Sequence, residues 1–436
     1  MKRIAAFFEF ERHGTTLRRE IVAGATTFAT MAYIIVVNPA ILSAAGIPTG
    51  PSTVATIVTC IFGTLLMGLY ARRPFAIAPL MGENAFIAFT VVQLLGYPWQ
   101  VALAAVFIAG VLFVLLTLAR VRQWLVDAVP AGLRYSFAVG IGLFMTFIGL
   151  VQCGIVALGL PGAPVRMGAV ASAPVLVALA GFLAIITLMT LRVPGAILLG
   201  ILGTAALAFF TGVAPPPTAL VSAPPSLAPI FWQLDFSQVW TVGFFAVMLT
   251  TFIMAFVDTL GTLIGVSSRA GFLDSDGKLP RIEQPMMADA LATTFAAAVG
   301  TTTAGAYIES ATGVTAGGRT GFTAVVTALL FVAALFFAPL VGAIPPQAYG
   351  PALIVVGLLM VEPIKRIHFE DFTELVPAFA TVTLMSFTFN IGVGMTAGFV
   401  LYPFCKLIAG RAREVKSGMW ILAALSVLFY VFYPYH

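Results

Sequence analysis

The stretch Phe75-Ala-Ile-Ala-Pro79-Leu-Met-Gly82-Glu83-Asn84-Ala-Phe86 interrupts an otherwise apolar run. A second stretch, Gly300-Thr-Thr-Thr-Ala-Gly-Ala-Tyr307-Ile-Glu309-Ser-Ala-Thr-Gly313, does the same in the second half of the chain. Pro79 removes a backbone donor and Gly82 loosens the chain. The run Thr301–Thr303 favours extended backbone. Helix can resume from Glu83 in the first stretch and near Ser310 in the second. Each therefore reads as an extended piece followed by a half-helix. Irregular backbone survives at membrane depth only where protein or a water-filled cavity satisfies its polar groups. A matched pair of interrupted spans is the sequence mark of a transporter's binding site.

The composition requires a lipid solvent. Of 436 residues, 60% are hydrophobic and 9% charged, whereas a soluble domain carries roughly 25% charged residues. Mean hydropathy is +1.05. Disordered, collagenous and disulfide-stapled classes are excluded. Cys60, Cys153 and Cys405 lie in apolar runs, and His13, His368 and His436 are far apart, so no metal site is expected. The net charge of +5 does not point to nucleic acid, because the basic residues sit in short breaks between apolar segments. Nothing in residues 1–20 resembles a cleaved signal.

Spanning helices need about 17–25 mostly apolar residues. Such segments occur near 20–43, 52–71, 76–95, 98–119, 133–152, 172–191 and 194–212. After a Pro-rich break, 213–229, they recur near 238–263, 284–301, 302–317, 320–338, 346–362, 374–389 and 391–409. Alternating these fourteen from a cytoplasmic N-terminus puts every basic residue except Arg166 on one face, as the positive-inside rule requires. Both ends of the fourteen-span core would then be cytoplasmic. Residues 418–434 fit either a further span or a surface helix. Arg120–Arg134 reads as a short interfacial helix and Gly271–Glu283 as a cytoplasmic loop. Seven spans per half is odd, so similar halves would have inverted topology.

Ionisable groups inside a membrane are costly and mark function. Glu83, Asp258, Asp289 and Glu309 fall within expected spans. Asp258 and Glu309 read as site residues. Glu83 could cap the half-helix or face the cavity, and Asp289 reads as a structural hydrogen-bonding group. Asn84 offers donors and an acceptor to a planar heterocycle. Phe86 and Tyr307 flank the breaks and could stack on a flat ligand. Asn38, before Pro39, reads as a helix stop. Carboxylates without fixed counter-charges cannot all be cheaply ionised in a low-dielectric cavity. One can carry a proton while another accepts substrate N–H groups. This suggests proton-coupled uptake of an uncharged, N–H-rich molecule and argues against an anion. An enzyme is not expected, since no nucleophile–base pair, metal cluster or cofactor motif appears.

Thr27-Phe-Ala-Thr-Met-Ala-Tyr-Ile-Ile-Val-Val-Asn-Pro39, Phe256-Val-Asp-Thr-Leu-Gly-Thr262 and Tyr307-Ile-Glu-Ser-Ala-Thr-Gly-Val-Thr-Ala-Gly-Gly-Arg-Thr-Gly321 resemble the AzgA-like purine permeases. These belong to the nucleobase–cation symporter superfamily that includes uracil and xanthine permeases. The resemblance implies an all-α polytopic membrane protein of fourteen segments in two inverted repeats of seven, with short strands in spans 3 and 10. Residues 20–119 and 238–338 would form a core domain, and 133–212 and 346–409 a gate domain. They would be flanked by an N-terminal segment, 1–19, and a C-terminal one, 410–436. It further implies a plasma-membrane homodimer with an elevator mechanism, importing adenine, guanine or hypoxanthine by proton symport, with uracil or xanthine as alternative substrates. By motif, Asp258, Glu309 and Asn84 match substrate-site residues of the family. Phe86 and Tyr307 join the expected binding set, and Glu309, Asp258 and Glu83 are the candidates for proton coupling. No cofactor is expected, and the coupling ion would be a proton rather than Na+. Glu83 departs from the family pattern, in which an apolar residue, often Leu, precedes the asparagine.

Overall fold

The computed structural model describes residues 2–119, 129–160, 163–273 and 279–432. The first part of the chain comprises α1 (Lys2–Phe7), α2 (Leu17–Met31), α3 (Ile34–Ser43), α4 (Thr49–Leu69), β1 (Ile77–Pro79), α5 (Met81–Ala85) and α6 (Trp99–Leu118). Then come α7 (Ala131–Gln152), the hairpin β2 (Val156–Leu160) and β3 (Ala163–Met167), α8 (Ala173–Thr190) and α9 (Ala196–Phe210). The second half holds α10 (Val242–Ala270), α11 (Glu283–Val299), β4 (Ala304–Ala306), α12 (Ser310–Thr315), α13 (Gly321–Ala334) and the short α14 (Ala338–Gly342). It closes with α15 (Pro346–Met360), α16 (Phe372–Phe387), α17 (Ile391–Ile408) and α18 (Ser417–Phe432). Helices α4, α6 and α7 each start directly after a proline, Pro48, Pro98 and Pro130, where a missing N–H costs nothing.

Among the described residues, nine helical segments are long and apolar enough to cross a membrane, and Ala196–Phe210, Phe372–Phe387 and Ser417–Val427 are shorter apolar helices. The chain is a mostly helical polytopic membrane protein with, among the described residues, two very short sheets. The stretch 418–434 is helical up to Phe432. Most of the expected interfacial helix, 120–128, and residues 274–278 of the expected loop lie outside the described residues. The hairpin β2–β3 carries Arg166 and was not anticipated from the sequence.

The helices pack in two groups. In one, α4 contacts α3, α11 and α13, α6 contacts α10 and α11, and α2 contacts α12 and α13. In the other, α7 contacts α15 and α16, α8 contacts α9 and α15, and α17 contacts α16 and α18. The groups meet where α5 approaches α7: a Cβ on Gly82 would stand 2.7 Å from Ile141 Cγ2, so only glycine admits this approach. They meet again where Thr90 Oγ1 donates to the Phe389 carbonyl at 2.8 Å.

Candidate functional site

The two interrupted stretches come together as an antiparallel pair, β1 with β4, in the register Ile77↔Ala306, Ala78↔Gly305 and Pro79↔Ala304. The pairing extends at both ends, through Leu80 N–H to the Thr303 carbonyl at 3.0 Å and Tyr307 N–H to the Ala76 carbonyl at 2.9 Å. Two threonines on flanking helices satisfy the outer edges. Thr64 Oγ1, on α4, accepts from Ile77 N–H at 2.9 Å and donates to the Ile77 carbonyl at 3.1 Å. Thr293 Oγ1, on α11, accepts from Ala304 N–H at 3.3 Å and donates to the Ala304 carbonyl at 2.7 Å. The same solution thus serves both strands. Gly300, at φ +95°, caps α11 and turns the chain into the extended run that follows, a conformation glycine adopts at little cost.

A half-helix leaves each strand, the first starting two residues before the expected Glu83 and the second at the expected Ser310. Helix α5 starts at Met81, and π-helical turns continue it over Phe86–Leu94. Helix α12 starts at Ser310. Glu83 and Asn84, in the first turns of α5, are buried, whereas Asp258 and Glu309 are half-buried. Helix α10, which carries Asp258, packs against β4, against α12 and against α5. Three acids from α5, α10 and the turn before α12 therefore gather around the strand meeting. None of them pairs with a basic side chain among the described residues.

The aromatic pair divides. Tyr307 is buried and its hydroxyl donates to the Pro79 carbonyl at 2.7 Å, so it ties one strand to the other. Phe86 is buried at the border of the two helix groups, with its Cε2 3.5 Å from where a Cβ on Gly392 of α17 would stand. Asp289 accepts from Ala306 N–H at 3.1 Å through Oδ2, which is the structural role expected of it.

Asn38 is not a helix stop. Helix α3 runs through it and Pro39 to Ser43, and the first span is instead interrupted at Ala32–Tyr33. Proline lacks the N–H that would bond to residue 35 and crowds that carbonyl. One turn earlier the backbone tightens, with Ile35 N–H to the Ala32 carbonyl and Val36 N–H to the Tyr33 carbonyl. Both residues reach the site. Tyr33 donates to Glu309 Oε1 at 2.5 Å. Asn38 donates to Thr56 Oγ1 at 2.7 Å and Thr301 Oγ1 at 3.0 Å, and accepts from Asn84 Nδ2. The sequence carried no signal for Tyr33, a residue compatible with an apolar span. Asn38 was visible as a polar residue inside such a span, but the following proline suggested a terminus.

The sequence profile described as the Permease family matches residues 18–401. The adenine permease AdeP of Escherichia coli is 41% identical over 98% of this chain and 96% of its own length. The guanine/hypoxanthine permease PbuG of Bacillus subtilis is 40% identical, with 98% and 99% covered. In fold, the chain is similar to the transmembrane domain of the cyanobacterial bicarbonate transporter BicA, with a TM-score of 0.65 at 16% identity, covering 88% of this chain and 97% of that one.

Proposed function

Because the chain belongs to the Permease family, in its AzgA-like purine-permease branch, we propose that it imports purine nucleobases by proton symport. Adenine, guanine and hypoxanthine are the candidate substrates. The carrying observation is the gathering of Glu83, Asp258 and Glu309 around the β1–β4 meeting without basic partners among the described residues. A neutral heterocycle rich in N–H groups supplies donors to such a site. The carboxylates also provide a place for a proton, since like charges in a low-dielectric cavity share one readily. In this reading Asp258, Glu309 and Asn84 bind the base, with Phe86 and Tyr307 beside it. Glu309, Asp258 and Glu83 are the groups that exchange the proton.

Further parts of the reading follow the two helix groups. Residues 20–119 and 238–338 form the moving core, and 133–212 and 346–409 the gate against which it slides as an elevator. The fourteen segments form two inverted repeats of seven, with both ends of the core on the cytoplasmic face of the plasma membrane, and the working unit is a homodimer. The matched Thr64 and Thr293 contacts support the repeat, since each half carries one threonine clamping its own strand. The likeness to a bicarbonate transporter concerns the fold alone, and three acids without a basic partner among the described residues would repel an anion.

The test is uptake of radiolabelled adenine, guanine, hypoxanthine, xanthine and uracil into proteoliposomes, with and without an inward proton gradient. Purine accumulation that collapses with the gradient is expected. Transport of bicarbonate alone, or no uptake of any base under either condition, would refute the proposal.

A further inference from the structure

A chain of buried hydrogen bonds runs from α4 through α3 to α5, and each link fixes the direction of the next. Thr56 Oγ1 donates to the Ser52 carbonyl at 2.7 Å. A hydroxyl has one proton to give, so toward Asn38 it can only accept. Asn38 Nδ2 accordingly donates to Thr56 Oγ1 at 2.7 Å and, with its other proton, to Thr301 Oγ1 at 3.0 Å. Both amide protons of Asn38 are then spent, and its Oδ1 must face Asn84. Asn84 Nδ2 donates to that oxygen. Asn38 and Asn84 are both fully buried. Asn84 Nδ2 is thereby held toward Asn38 by one of its two protons, and Asn84 Oδ1, on the other side of the amide, is a buried atom without a hydrogen-bond partner. An unpaired buried acceptor is unfavourable until a donor reaches it.

Two tyrosine hydroxyls of the site are spent internally in the same way. Tyr307 gives its proton to the Pro79 carbonyl and Tyr33 gives its own to Glu309. An asparagine free to rotate would serve a ring N–H or a bare ring nitrogen equally well. Here its amide is locked.

We propose that Asn38 is a specificity-determining positioning residue: by locking the amide of Asn84 it makes Asn84 Oδ1 a dedicated acceptor for one ring N–H of a planar heterocycle. The inference rests on the nucleobase-binding reading above and adds the polarity with which one edge of the base is read. Asn38 itself need not touch the ligand. Its effect reaches the ligand only through the orientation of Asn84.

The experiment measures dissociation constants of the full-length protein for adenine, guanine, hypoxanthine and their deaza analogues, in which one ring nitrogen becomes C–H. The wild type is expected to prefer ligands with an N–H at one ring position by about tenfold or more, the size of one lost hydrogen bond to a buried acceptor. Asn38→Leu removes the locking oxygen and should shrink that ratio to about threefold or less, leaving the ratios at other positions in place. Thr56→Val, nearly isosteric and on another helix, should shrink it in the same direction. Asn38→Asp keeps an acceptor facing Asn84 and should preserve it. Ratios unchanged in both Asn38→Leu and Thr56→Val, with base binding intact, would overturn the assignment of polarity alone. A wild type that binds no base in the panel would overturn the proposed function and this inference together.

Discussion

Glu20 shows how much a single side chain can hold. It lies in the first turn of α2, is fully buried, and accepts from Arg319 N–H, Thr320 N–H and Oγ1, and Thr323 N–H and Oγ1. These backbone and hydroxyl donors cluster at the start of α13. A carboxylate there satisfies them and faces the positive end of the helix dipole. Glu20→Ala strands several buried donors at once. A loss of about 2–4 kcal/mol is expected, read as a lower melting temperature of the detergent-solubilised protein, with Glu20→Gln intermediate. A melting temperature equal to wild type in Glu20→Ala would remove this capping role. Nothing in the sequence announced the contact, because Glu20 and Thr320 are joined only by the way α2 packs on α13.

At the scale of the element, the decisive structures are two three-residue strands. Strands this short cannot hold themselves together. They persist because Thr64 and Thr293 each bond both the N–H and the C=O of one outer-edge residue, and because Asp289 takes the Ala306 N–H. Other threonines in these helices bond a carbonyl of their own helix, as Thr53 and Thr56 of α4 and Thr294 of α11 do. In the sequence the two kinds look alike. Thr64→Val and Thr293→Val each leave a buried backbone N–H and C=O unpaired. Each should cost about 1–3 kcal/mol and depress uptake, whereas Thr→Ser at either site should retain most of it. Valine variants with wild-type melting and uptake would show that the strands do not depend on these clamps. The breaks themselves were legible from Pro79, Gly82 and the Thr301–Thr303 run. That they pair with each other, and in this register, was not.

Across the whole molecule, the two helix groups differ in how their charges are used. The group around β1 and β4 holds Glu83, Asp258 and Glu309 without a basic partner among the described residues. The group of α7–α9 and α15–α18 closes one end with an ion cluster: Lys406, fully buried, lies within 3.0–3.5 Å of Glu414, Glu374 and Asp371, and Arg411 reaches Asp371 at 2.7 Å and Glu414 at 2.6 Å. Lys406 is thus a structural cation at the end of α17 and not a free charge on a membrane face. Asp371 also caps α16 through Thr373 N–H. Hydrogen bonds from Thr373 and Arg411 hold its carboxyl well below the usual carboxylate range. A depressed pKa stabilises the fold fully above the unfolded value, about 3.9, and is lost only as pH falls through the lower folded value. Asp371→Asn should therefore lower the melting temperature by a gap that stays constant from about pH 8 to pH 5 and narrows only in stronger acid. A gap that changes across neutral pH would assign the effect to another group.

The sequence by itself determined the solvent, the helical segments, the two interruptions and the acids placed at or near them. These follow from local composition: the hydropathy of about twenty consecutive residues fixes a span, and proline, glycine and a threonine run fix a break. The Tyr307–Gly321 motif was specific enough to identify the family. Only the tertiary structure decided that β1 meets β4, that Tyr33 and Asn38 of the interrupted first span serve Glu309 and Asn84, and that Glu20 caps a helix 300 residues away. Those contacts depend on which helix faces lie opposite one another. Hydropathy cannot encode that, because in a membrane the lipid-facing and protein-facing sides of a helix are both apolar.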